Sequence, residues 1–135
     1  MTELPTLSAA AELAKARRFL AAAQHLANGG FFEDAVSRAY YAVFHGGCAL
    51  LATIGRTIRT HDGLRAVIGD HFVRPGLLDT RFARLMARAA ADRNDADYNA
   101  AACFAAVDAQ EALDRTTEFL AEVERLATKV PPGPT

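Results

Sequence analysis

Within the nine residues Ser37-Arg38-Ala39-Tyr40-Tyr41-Ala42-Val43-Phe44-His45 the chain places an arginine, two tyrosines and a histidine. On a helix, Arg38, Tyr41 and His45 stand at i, i+3 and i+7 and share one face, while Ala35, Ala39, Ala42, Gly46 and Ala49 line another. Phosphodiester chemistry needs a cation for the phosphate charge and a group that can give or take a proton, and an arginine with a histidine supplies both. Three more candidates lie further on: Arg93 with Asn94, and Tyr98 five residues after Arg93. His61, in Thr60-His61-Asp62-Gly63, falls at a helix start, where it can bind an anion or be tied into the turn. The same residues have a plainer reading, which composition by itself favours: Tyr40, Tyr41 and Phe44 as core aromatics, with Arg38 and His45 bonded to neighbouring carboxylates.

Other chemistries find less support. Asp92, Asp95 and Asp97 are followed by no glycine or glutamate at calcium-loop spacing, so they read as a solvated polar junction and no metal is expected. No phosphate-binding glycine loop and no nucleophile elbow is present, and Gly46-Gly47 sits inside a helical run with no strand before it. Cys48 and Cys103 match no metal or redox spacing and read as two reduced, buried small residues in a reducing compartment. No cofactor is called for.

The elements that must position these residues are all helical. A first helix is expected from Ser8 to Ala27, with Leu13, Ala16, Leu20, Ala23 and Ala27 on its apolar stripe, ended by Asn28-Gly29-Gly30. His25 on it reads as a surface histidine. The second starts between Phe31 and Asp34 and runs to Ile54-Gly55, with Gly46 and Gly47 permitting a close helix contact. Thr60 or Asp62 caps a short third helix through Phe72, and Arg74-Pro75-Gly76 makes a turn. A run from Leu77 to Ala91 follows, then a polar stretch, Asp92 to Asn99, that suits a loop or helix start. The last helix is expected from Asn99 to Ala127, closed by the tail Pro131-Pro132-Gly133-Pro134. No strand pattern and no internal repeat occur.

The chain's 135 residues fit one domain, with a core over about 8–127 and a flexible tail over 128–135. Much of its 51% hydrophobic content is alanine, which favours closely packed helices. A formal net charge of −1 gives no global basic field, so any nucleic-acid site must be local. Of the fifteen basic residues only Lys15 and Lys129 are lysine; the arginines suit bidentate contacts to phosphate or carboxylate. With no signal peptide and no long uncharged apolar run, the chain is expected to be cytoplasmic, with no membrane partner.

At Ser37 to His45 the sequence resembles the HEPN domain, close to a small stand-alone prokaryotic subfamily whose helix reads S-R-x-Y-Y-A-x-F-H. Thr60-His61-Asp62-Gly63, Phe72-Val73-Arg74-Pro75-Gly76-Leu77-Leu78 and Arg93-Asn94-Asp95-Ala96-Asp97-Tyr98 agree in order, so the resemblance spans roughly 14–120. It implies an all-α, up-and-down bundle of four main helices with one short extra helix, and a homodimer. It also implies a toxin or defence role in RNA cleavage without metal, with a minimal nucleotidyltransferase as antitoxin. The family's ribonuclease motif is an arginine followed after four to six residues by a histidine, near the start of the last long helix. Here the position five after Arg93 is Tyr98, a poor general base at neutral pH. The resemblance thus gives Arg93, Tyr98 and His45 as a candidate catalytic set, with Arg38, Tyr41, His61 and Asn94 as nucleotide- or RNA-binding residues. Arg38, His45, Arg93 and Tyr98 are expected to surround one cleft, and Tyr98 either orients the site or offers a hydroxyl for nucleotidylation. The alternative is a non-catalytic helical module that binds a nucleotide or docks a partner protein.

Overall fold

In the computed structural model, which describes residues 8–58 and 60–129, the chain is a helical bundle with no strand among the described residues. The main helices are α1 (Ala9–Asn28), α2 (Phe32–Thr53), α4 (Thr80–Tyr98) and α5 (Ala106–Lys129), and α3 (His61–Ile68) is the short one. The Pro-rich tail expected beyond the last helix lies outside the described residues. No helix among the described residues is long and apolar enough to cross a membrane.

Side-chain caps set several helix starts. Ser8 Oγ accepts from the Ala11 amide at 3.0 Å, Thr60 Oγ1 from Gly63 at 3.0 Å, and Asp79 Oδ1 from Arg81 at 2.8 Å. Asp108 reaches back to the Ala105 amide at 2.8 Å and closes the start of α5. Between α1 and α2 the chain turns within three residues, and Gly30 takes φ +86°, a conformation that costs glycine nothing. After α3 the helix widens into one π-helical turn, Gly69–Val73, in which the Arg74 amide bonds the Gly69 carbonyl at 2.9 Å. That extra width turns Phe72 into the core.

The central helix is α2. Its small face, Ala35, Ala39, Ala42, Gly46 and Ala49, is buried as the spacing predicts. A Cβ on Gly46 would lie 2.7 Å from Leu120 Cδ2 and 3.0 Å from Phe119 Cε2 of α5. One on Gly47 would lie 2.8 Å from Leu64 Cδ2 and 3.0 Å from Ile68 Cδ1 of α3. The two glycines therefore let two helices approach α2 at adjacent positions. The core divides into a larger cluster around Leu50, Leu51, Phe82, Phe119 and Val123 and an alanine-rich one around Ala23, Ala39, Ala109 and Leu113.

Two expectations are corrected. The stretch Asp92 to Tyr98 is not a loop but the last two turns of α4, and α5 starts at Ala106 rather than Asn99. Asparagine and aspartate disfavour helix interiors only weakly, and here ion pairs outweigh that preference. Arg88 pairs with Asp92 at 3.1 Å, Arg115 of α5 reaches Asp92 at 3.3 Å, and Arg93 faces Asp97 at 3.9 Å. Cys103, expected to be buried, is exposed in the α4–α5 loop.

Candidate functional site

His61, Leu64 and Ile68 lie at i, i+3 and i+7 of α3. Leu64 and Ile68 are buried against the place where Gly47 lacks a side chain. This packing carries His61 in the first turn onto Tyr40 and Phe44, which precede Gly47 by about one and two turns of α2. The imidazole stacks on Phe44, centroids 4.2 Å apart and planes at 21°, and its Nδ1 lies 2.5 Å from the hydroxyl of Tyr40. Tyr41 meets the same imidazole edge-on at 6.1 Å.

From the opposite side α4 brings Arg93. Its guanidinium carbon lies 5.0 Å from the centroid of the Tyr40 ring, within cation–π range. The side chain is only 17% exposed, and its buried Nε–H has no hydrogen-bond partner. A buried donor left unpaired costs on the order of 1–3 kcal/mol, so an acceptor brought by a ligand would be welcome there. Burial pushes the Tyr40 hydroxyl up from its ordinary value of 10.0, and the opposing charge and hydrogen bond of Arg93 only partly offset that rise. The phenol is therefore protonated at neutral pH.

Between these groups lies an open cavity of about 250 Å³, lined by Tyr40, His61, Arg65, Arg93, Asn94 and the small side chains Ala87, Ala90 and Ala91 of α4. The alanines leave room, and the polar lining is dominated by donors: two guanidiniums, an amide and an imidazole. Such a concavity suits an anion with several acceptor oxygens.

Of the residues proposed from sequence, His61, Arg93 and Asn94 share this cavity and Tyr41 borders it. Arg38 and His45 lie elsewhere. His45 Nδ1 bonds Glu12 Oε2 of α1 at 2.9 Å, and its ring stacks on Phe19 at 5.4 Å with planes 7° apart. Arg38 sits 5.9 Å from the Phe19 ring and lines a separate hollow with Lys15 and Arg18. Tyr98 is 76% exposed and does not line the Arg93 cavity. Five residues further along a helix, it points about 140° away from Arg93. The single cleft expected from Arg38, His45, Arg93 and Tyr98 is not formed, because α2 turns Arg38 and His45 toward α1 and Tyr40 toward α3 and α4. Sequence reasoning took Tyr40 for packing and passed over Arg65. Arg65 stands one turn after His61 on the same face, and that spacing was the available signal.

Residues 9–126 match the family profile described as the HEPN domain. A Methanocaldococcus jannaschii protein named "Putative toxin MJ0605" is 37% identical over 79 residues, 58% of this chain and 59% of that protein. The UPF0332 protein PH1297 of Pyrococcus horikoshii is 35% identical over 74 residues, 55% of this chain and 52% of that protein. The UPF0332 protein glr0978 of Gloeobacter violaceus is 30% identical over 107 residues, 78% of this chain and 85% of that protein. The matched part of this chain thus spans between half and three fifths of the length of the first two. With a five-helix bundle, a matched segment covering nearly all of it and relatives of the same kind, the chain belongs to the HEPN domain family.

Proposed function

We propose that this HEPN protein is a toxin-type component that takes an RNA phosphodiester into the Arg93 cavity. The observation that carries the reading is the buried, unpartnered Nε–H of Arg93 at a cavity that also holds Arg65, His61 and Asn94. A phosphate accepts from guanidinium donors in a fork geometry that an ammonium does not offer. The stacked rings of Phe44, His61 and Tyr40 at the edge of the cavity provide a surface on which a base can stack. The toxin name of one relative supports an antitoxin partner, which the family resemblance gives as a nucleotidyltransferase, with the chain itself a homodimer.

Titration of the chain into fluorescein-labelled single-stranded RNA, followed by anisotropy, tests this. Wild type binds, Arg93→Ala binds at least ten-fold more weakly, and Arg38→Ala changes the affinity less than three-fold. Equal affinity of wild type and Arg93→Ala would overturn the reading.

A further inference from the structure

An arginine beside a phosphodiester lowers the barrier to cleavage only if some group also handles the proton on the departing oxygen. The chain has four histidines. His25 lies in the last turn of α1, His45 is bonded to Glu12, and His71 Nε2 is 2.9 Å from Arg56 Nη1. His61 lines the cavity of Arg93.

We propose that His61 is the general acid of an RNA-cleaving centre assembled across α3 and α4, with Tyr40 as its positioning residue and Arg93 as the phosphate-binding group. The proposal rests on the RNA-binding reading above and adds the reaction and its proton donor.

The geometry suits the role. Tyr40 engages Nδ1, so proton exchange with a ligand runs through Nε2. The phenol serves both protonation states of the ring: it donates to Nδ1 of the neutral imidazole and accepts from Nδ1–H of the imidazolium. Stacking on Phe44 fixes the ring plane, and Tyr41 closes one edge. The cations Arg65 and Arg93 face the ring within the cavity, and a phosphodiester seated on them brings the negative charge that favours the imidazolium.

In the step itself the ribose 2′-oxygen bonds to phosphorus and its proton leaves to solvent. The bond from phosphorus to the 5′-oxygen breaks, and that oxygen takes the proton from Nε2. The products are a 2′,3′-cyclic phosphate and a 5′-hydroxyl end. His61 then recovers a proton from water.

A leaving group that needs no proton separates an acid from a merely structural histidine. Two short RNAs are compared, one ordinary and one with a single bridging sulfur in place of the scissile 5′-oxygen. Wild type cleaves both, and a 2′-deoxy substitution at the cleaved nucleotide blocks cleavage. His61→Asn keeps an acceptor near the Tyr40 hydroxyl. It binds the uncleavable 2′-deoxy strand within three-fold of wild type. It loses about 10²–10⁴-fold in rate on ordinary RNA, the usual contribution of a general acid, and regains most of that on the sulfur substrate. Arg93→Ala is slow on both. Tyr40→Phe lowers the rate on ordinary RNA more than on the sulfur substrate.

The assignment is overturned if wild type binds RNA but leaves it uncut, if His61→Asn cuts ordinary RNA at the wild-type rate, or if it is equally impaired on both substrates. Absence of RNA binding by wild type would instead overturn the binding reading beneath it.

Discussion

The hydroxyl of Tyr40, a side chain only 6% exposed, lies 2.5 Å from Nδ1 of His61 in the first turn of α3. A buried residue of the central helix thus orients a residue at a helix start, where a ligand can reach it. Tyr40→Phe keeps the stack on His61 and the ring under Arg93 but deletes the hydrogen bond. It is expected to cost about 0.5–1.5 kcal/mol in urea unfolding, the net worth of one such bond. The His61 ring nitrogens should shift in nitrogen-detected NMR while those of His45 stay in place. Unchanged His61 resonances would show that the phenol does not hold the ring.

Gly47 controls the same placement from a distance. A methyl group there would lie 2.8 Å from Leu64 Cδ2 and 3.0 Å from Ile68 Cδ1, so α3 must move outward or the two side chains must repack. Gly47→Ala is expected to destabilise the fold by about 1–3 kcal/mol, the range for overpacking, less what alanine regains in helix propensity. Because His61 rides on α3, RNA binding should weaken as well, which unfolding and anisotropy measurements on one preparation would show.

Glu12 and His45 make the opposite case. Their 2.9 Å pair sits at the α1–α2 contact, with the Glu12 side chain 9% and the His45 side chain 21% exposed, outside the Arg93 cavity. Glu12→Ala leaves His45 without its partner and opens a gap beside Phe19, for an expected loss of about 1–3 kcal/mol. RNA binding below the melting temperature should stay within about three-fold of wild type. A large loss of binding in a folded Glu12→Ala protein would place His45 in the functional site after all.

These contrasts show what the sequence made legible. The small face of α2 emerged from spacing alone, since alanine and glycine at i, i+4, i+7 permit close helix contact whatever packs there. The cap at Thr60 was legible for the same local reason. Which polar residues meet was not, because Arg38, Tyr40, Tyr41 and His45 all lie within two turns and a helix wheel cannot say which neighbour each face receives. The end of α4 was misread because the ion pairs Arg88–Asp92 and Arg115–Asp92 override the weak preferences of aspartate and asparagine, and one of them reaches to another helix.

Burial, with a smaller contribution from the Glu12 carboxylate, pushes the Cys48 thiol up from 9.0 to about 12. An acid whose folded value is raised holds its proton more tightly when folded. Its stabilising contribution is therefore complete below pH 9 and lost as the pH rises through about 12. Tyr40, also raised, acts in the same direction above 10.0. Urea midpoints should fall over this alkaline range, and Cys48→Ala should flatten the fall. At pH 8 iodoacetamide should label exposed Cys103 well before Cys48, as intact-mass spectra would record. Faster labelling of Cys48 would contradict its shielding.

Tyr98 ends α4 with 76% of its surface exposed and takes no part in the Arg93 cavity, so its hydroxyl is accessible to another protein. If the antitoxin partner is a nucleotidyltransferase, incubation with that partner and ATP should add AMP to this side chain. The Tyr98 oxygen would bond to the α-phosphorus and pyrophosphate would leave. Tyr98→Phe should abolish the added mass, whereas Tyr40→Phe should retain it, because the Tyr40 hydroxyl is buried against His61. The modification would also place negative charge at the end of α4, about a turn and a half beyond Arg93. There it would compete with RNA phosphate for the local basic field, so modified protein should bind RNA more weakly than unmodified protein at low salt and converge with it as ionic strength rises. Equal RNA affinity of the two forms at low salt would separate modification from inhibition at this site.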